Sequence, residues 1–265
     1  MNSRFLPLLH NELAKARRRR LPYFGIGISG LLCWLIYWVA DRLSSAASAN
    51  AWGYVGFTMQ LVFNDIGLIF ILVFSAMLMA EETGTGTIRA ALAAPVDRWE
   101  LYLAKAVTGL LYMMLLSTAV LLFAGALAKI HYDFGPVGDR FGVVYSRGTA
   151  ARVFLVATLL SWVPLAALVM FGLLISTFIR NSGAAVSVGI STIYLIDFTK
   201  HLVGLDPYIF TKHIGYPWIV LQQAAQGVDF QWQPEVWNLL GLCGAHATLC
   251  FVLGLIIFLR QDLNE

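Results

Sequence analysis

Glu81 and Glu82 close a long apolar run, and His201, His213 and His246 follow later in the chain. A glutamate base with histidines is a combination that activates water. An intramembrane protease or another polytopic membrane enzyme is therefore one reading of these residues. Two features oppose it. The glutamates fall at the end of an apolar run opposite to the end expected for His201 and His213. The stretch Glu81-Glu82-Thr83-Gly84-Thr85-Gly86 also fails to complete the EExxxR pattern of glutamate-type membrane proteases. The Gly84-Thr85-Gly86-Thr87 run has the small residues of a phosphate cradle. It follows an apolar helix rather than a strand, however, and Gly-Lys occurs nowhere in the chain. HExxH and GxSxG are absent as well. Cys33, Cys243 and Cys250 sit singly in apolar stretches, the pattern of buried thiols acting as small hydrophobes. Met77 and Met79 read as filler of the same kind.

The chain that must position these residues has 265 residues, 59% apolar and 12% charged, with a mean hydropathy of +0.73. Soluble proteins hold about 45–50% apolar and about 25% charged residues. Eighteen basic and 15 acidic side chains cannot cover a soluble surface of this size. The balance excludes an ordinary soluble enzyme, a disordered chain and a nucleic-acid-binding domain, and it makes lipid the solvent. The expected fold is an all-α polytopic membrane protein of one domain over residues 1–265. A spanning helix needs about 20 mostly apolar residues. Six stretches qualify: Leu21–Ala40, Tyr54–Ala80 with Asn64-Asp65 inside it, Leu101–Ala128, Val153–Ile179 with Pro164, Gly183–Phe198 and Val236–Leu259.

An even number of spans puts both termini on one side. That side carries 11 Lys and Arg against 7 on the other. A dense basic cluster, Arg17 to Arg20, precedes the first span. Both termini are therefore expected in the cytoplasm. The first apolar run is about 20 residues, too long for a cleaved signal core, so it reads as an anchor. Residues 1–20 have helical logic: Phe5, Leu9, Leu13 and Ala16 form one stripe. Such a helix lies along the leaflet surface with its arginines among anionic headgroups. Residues 199–235 are too apolar for a solvated loop and too broken for a span. Short re-entrant helices on the extracytoplasmic side fit them, with Tyr and Trp at the interface.

The segment at 81–98 has more order than a loop needs. Thr85 or Thr87 can cap a short helix, Ile88 and Leu92 share one of its faces, and Pro95 stops it. Arg89 and Arg98 flank it. A short helix with one apolar face either covers its own bundle or docks in a groove of another protein.

Glu82, Gly86, Thr87, Ile88, Leu92, Pro95, Val96 and Arg98 stand in register with a pattern that resembles the ABC-2 type transporter permeases, the membrane subunits of ATP-driven exporters. Lys105 matches the family's lysine at the start of the third span. Asn11-Glu12-Leu13-Ala14-Lys15 is similar to its interfacial start. Gly84 stands where a second acid is common. The compact form is similar to permeases linked to copper-enzyme maturation.

The resemblance implies that residues 82–98, Arg89 included, form a coupling helix seated in a separate cytoplasmic ABC ATPase. ATP and Mg then belong to that partner, and this chain itself has no cofactor, no metal and no bond chemistry. It implies pairing with a second permease, a copy of this chain or a related one, through the second and fifth spans, and it admits a periplasmic accessory protein. Membrane lipid is the remaining partner. Asn64 and Asp65 become candidates for the pathway or the dimer seam. An ionised aspartate inside a span costs about 2.5–3.5 kcal/mol on insertion scales. Gly183, Ser187 and Ser191 recur every four residues on the fifth span and permit close helix approach, within one subunit or between two. A membrane scaffold without transport is the third reading.

Overall fold

The computed structural model describes residues 5–43, 50–87, 97–139, 142–228, 232 and 235–261. Nine α-helices account for most of the described chain. They are α1 (Phe5–Arg18), α2 (Leu21–Leu43), α3 (Ala51–Asn64), α4 (Ile66–Gly84), α5 (Arg98–His131), α6 (Arg147–Phe178), α7 (Ser182–Val203), α8 (Tyr216–Ala225) and α9 (Glu235–Arg260). A two-stranded antiparallel hairpin, β1 (Val137–Asp139) with β2 (Gly142–Tyr145), sits between α5 and α6. Two 3-10 turns, Asp206–Tyr208 and Phe210–His213, precede α8. The hairpin is an element that the sequence reading did not anticipate.

Six of the helices are long and apolar enough to cross a membrane: α2, α4, α5, α6, α7 and α9. The architecture is the all-α polytopic one that the composition demands. α6 is the hub, packing along α4 on one side and α9 on the other, while α2 leans on α5 and α7 on α4. Contact is close where side chains vanish. A Cβ on Gly172 of α6 would stand 2.1 Å from the Ser75 hydroxyl of α4. Helices in lipid gain little from burying apolar surface, so such close approach is what holds them. Outward faces stay apolar: on α2, Phe24, Leu31, Trp34 and Trp38 are exposed, while Gly25, Ser29, Cys33 and Ile36 face the bundle.

The second span differs from expectation. The apolar run from Tyr54 is two helices. The break falls at Asp65 (φ −125°, ψ −92°), and the span proper begins at Ile66. Asp65 is the residue preceding α4, where the positive end of the helix dipole favours a carboxylate. α3 is buried on nearly every face, enclosed by α5 and α8. With α8, the hairpin and the 3-10 turns it forms a cap over one end of the bundle. Trp52 Nε1 donates to the Gly135 carbonyl (3.1 Å) and Tyr145 to that of Val228 (3.2 Å).

The opposite end gathers α1, the end of α4, the start of α5, the α6–α7 turn and the end of α9. Both described ends of the chain thus lie at one end of the bundle, as an even number of spans requires.

Candidate functional site: an ionic ring beneath the bundle

α1 is a half-buried amphipathic helix, yet its one fully buried residue is an acid, Glu12, 4% exposed. Two helices explain this. Lys105, two turns into α5, is completely buried, and Glu82, near the end of α4, is 6% exposed. Lys105 Nζ lies 2.9 Å from Glu12 Oε2 and 2.8 Å from Glu82 Oε2. Lys15 Nζ closes the ring, 2.6 Å from Glu12 Oε1 and 2.8 Å from Glu82 Oε1. Four alternating charges, two on α1 and one each on α4 and α5, neutralise one another at the foot of the bundle. Burial acts to lower the Lys15 pKa, but the hydrogen bonds and charges of Glu12 and Glu82 outweigh it and hold the ammonium above the ordinary lysine value. A second pair, Arg19 Nη2 to Glu81 Oε2 at 2.8 Å, ties the end of α1 to α4 again.

The next residues of α4 turn the chain toward residues 88–96. Gly84 is pressed against the α6–α7 turn, where a Cβ would meet the Arg180 carbonyl oxygen at 2.5 Å. The second acid common at this position in the resembling family would have no room here. Gly86 takes a left-handed φ of 73°, which ends the helix. Thr85 Oγ1 donates to the Glu81 carbonyl (2.7 Å) and lies 2.9 Å from Thr87 Oγ1.

On the return side, Arg98 opens α5, and its guanidinium donates to the Gln261 carbonyl at 2.8 Å and that of Leu259 at 3.4 Å. A cation there offsets the negative end of α9. The Gln261 amide in turn donates to the Thr177 carbonyl of α6 (2.8 Å). Arg98 therefore fastens α5 to α9, while Glu82 fastens α4 to α1 and α5. Ile88, Arg89, Leu92, Pro95 and Val96 lie outside the described residues. The ring and Arg98 flank that segment on both sides.

The sequence-derived seam residues lie elsewhere. Asn64 and Asp65 are exposed and line a polar pocket of about 630 Å³ at the cap end, with Tyr194, Asp197 and Lys200 of α7 and Lys212 opposite. Lys200 is 6% exposed and pairs with Asp197. Gly183, Ser187 and Ser191 are all exposed, whereas Ala185, Gly189 and Ile193 make the contacts of α7 with its own bundle. The small-residue stripe is not used for packing against the described residues. The glutamates and His213 stand at opposite ends of the bundle, so the pairing suited to activating water is not assembled. Among the described residues no three His, Cys, Asp or Glu side chains form a metal-ligand set.

Sequence reasoning singled out Glu82 and Lys105 and missed that Glu12 and Lys15 complete a ring with them. The signal was present. Glu12 is the one acid among six basic residues before the first span, and a lysine inside an apolar helix needs a counter-charge.

The sequence model of the ABC-2 family transporter proteins matches residues 8–197. That range runs from α1 through the ring and residues 88–96 to Asp197 in the polar pocket. No match was found among curated proteins.

Proposed function

The chain belongs to the ABC-2 family of transporter proteins, and from that premise we propose that it is the permease of an exporter driven by a separate cytoplasmic ABC ATPase. It is a transport subunit of an ABC transporter rather than an enzyme, and its family works with an ABC ATPase and typically with a second permease. The finer reading is ours. Residues 82–98 seat in the ATPase, which holds ATP and Mg. Closure of two ATPases pushes this lever. The push enters the bundle through the ring, because Glu82 sits at the near end of the lever and is locked to α1 and α5 at once. Arg98 carries it into α9 at the far end.

The single observation that supports this reading is the Glu12–Lys15–Glu82–Lys105 ring, buried at all but Lys15, beside residues 88–96. A rigid, charge-neutral foot transmits displacement; a loose loop absorbs it. The terminal end of the bundle is then the cytoplasmic one, and the cap with α8 faces the exterior of a bacterial inner membrane. A second copy covers the Gly183-Ser187-Ser191 stripe. The two polar pockets around Asn64 and Asp65 then meet near the seam as an exit vestibule. The re-entrant reading of 199–235 becomes a cap on that vestibule.

The test is reconstitution with an ABC ATPase encoded beside this gene. Stimulated ATP hydrolysis is expected with the native permease and lost in Ile88→Glu and Leu92→Glu, with membrane insertion unchanged. Arg98→Glu serves as a companion, scored together with thermal stability because Arg98 also caps α9. Full stimulation in both coupling variants would overturn the lever.

A further inference from the structure

The outer face of α2 carries two apolar grooves on either side of one side chain, Tyr23. The first, about 190 Å³, runs between α1, α2, α4 and α5 and is lined by Leu13, Ile26, Phe74, Leu111 and Leu115. The second, about 400 Å³, follows α2 along Phe24, Gly27, Ile28 and Leu31. Each has an arginine at its mouth, Arg17 on the first and Arg20 on the second. Tyr23 stands between them with its hydroxyl donating to the Arg17 carbonyl at 3.0 Å.

The four arginines of this run are not equivalent. Arg19 is half-buried and paired with Glu81. Arg17 and Arg20 are exposed and form no ion pair with any described residue. Tyr112 also lines the first groove, its hydroxyl turned in against Gly25 of α2. Two cations without an ion pair among the described residues and two apolar slots beside them describe a single two-chain anionic molecule.

We propose that this surface seats one anionic glycerophospholipid of the surrounding leaflet, its phosphate on Arg17 and Arg20 and its two acyl chains on either side of Tyr23. The seat rests on the membrane-spanning fold. Only the leaflet, the cytoplasmic one, rests on the orientation proposed above, so failure of either reading leaves the other standing. A bound lipid there braces α1 against α2 next to the ionic ring, and the coupling foot becomes sensitive to the charge of the bilayer.

The test is native mass spectrometry of the purified full chain in neutral detergent with dioleoyl-phosphatidylglycerol or dioleoyl-phosphatidylcholine. One phosphatidylglycerol per chain is expected in preference to phosphatidylcholine. R17Q/R20Q should weaken retention about thirtyfold, the effect of two headgroup-facing charges at their usual strength. Gly27→Leu should also reduce it by filling the second groove; a Cβ at Gly27 meets nothing within 4 Å, so the fold tolerates the change. Arg18→Gln, in the same basic run but lining neither groove, should bind as the native chain does. Equal retention of the two lipids, equal loss in Arg18→Gln, undiminished binding in Gly27→Leu, or displacement by inorganic phosphate would each overturn the seat.

Discussion

Lys105 is the residue on which the foot of the bundle depends. Removing an ion from water costs several kcal/mol, and only a well-placed partner offsets that. Here two carboxylates lie within 2.9 Å of the ammonium. Truncating Lys105 leaves Glu12 and Glu82 facing each other with Lys15 alone between them. Lys105→Ala should therefore destabilise the protein by about 3–5 kcal/mol, read as a lowered thermal midpoint in detergent. Adding Glu12→Gln should restore part of the loss, because it removes the stranded charge; strictly additive losses would show that the two are not coupled. Glu82 and Lys105 were legible from the family pattern, and Glu12 from its isolation among basic residues. Their closure into one ring was not legible, because Glu12 and Lys105 are 93 positions apart and local patterning carries no such information.

Among the elements, the cap differs most from what periodicity suggests. The apolar run from Tyr54 reads as one span, yet Asn64-Asp65 splits it, and α3 folds back among buried neighbours. Hydropathy reports that a segment avoids water but not whether lipid or protein covers it. Within the cap His213 is 2% exposed and its Nδ1 has no hydrogen-bond partner. Its ring lies edge-on to that of Tyr216, 6.5 Å between centroids. Burial lowers its pKa below 6.5, Lys212 adds to the shift, and Glu235 opposes it. The unfolded chain thus takes up this proton at a higher pH than the native one. Stability from this site is full above about pH 6.5 and declines as pH falls through 6.5 toward the lower native value. The thermal midpoint should drop between about pH 7.5 and about pH 5.5, and His213→Asn should flatten that drop. An unchanged slope would show that other groups set it.

The whole molecule leaves a stripe of small residues on α7 exposed among the described residues. Gly183, Ser187 and Ser191 face away from the described core, and the far half of the same helix lines the pocket holding Asn64 and Asp65. If a second copy covers the stripe, cysteine at Ser187 or Ser191 should give a disulfide-linked dimer under mild oxidation in native membranes, and cysteine at buried Ala185 should not. The native thiols, Cys33, Cys243 and Cys250, are buried and free and give little background. Monomers from both exposed positions would place lipid, not protein, on this face.

The sequence by itself determined the solvent, the helical class, the six spans, the shared end for both termini and the family. These follow from composition, from apolar length and from short motifs, all of which are local. Tertiary structure decided which charges meet, where the second span truly begins and which face of α7 its own bundle uses. Those depend on how helices distant in sequence approach one another, and close packing at residues such as Gly84 and Gly172 sets that approach to fractions of an ångström.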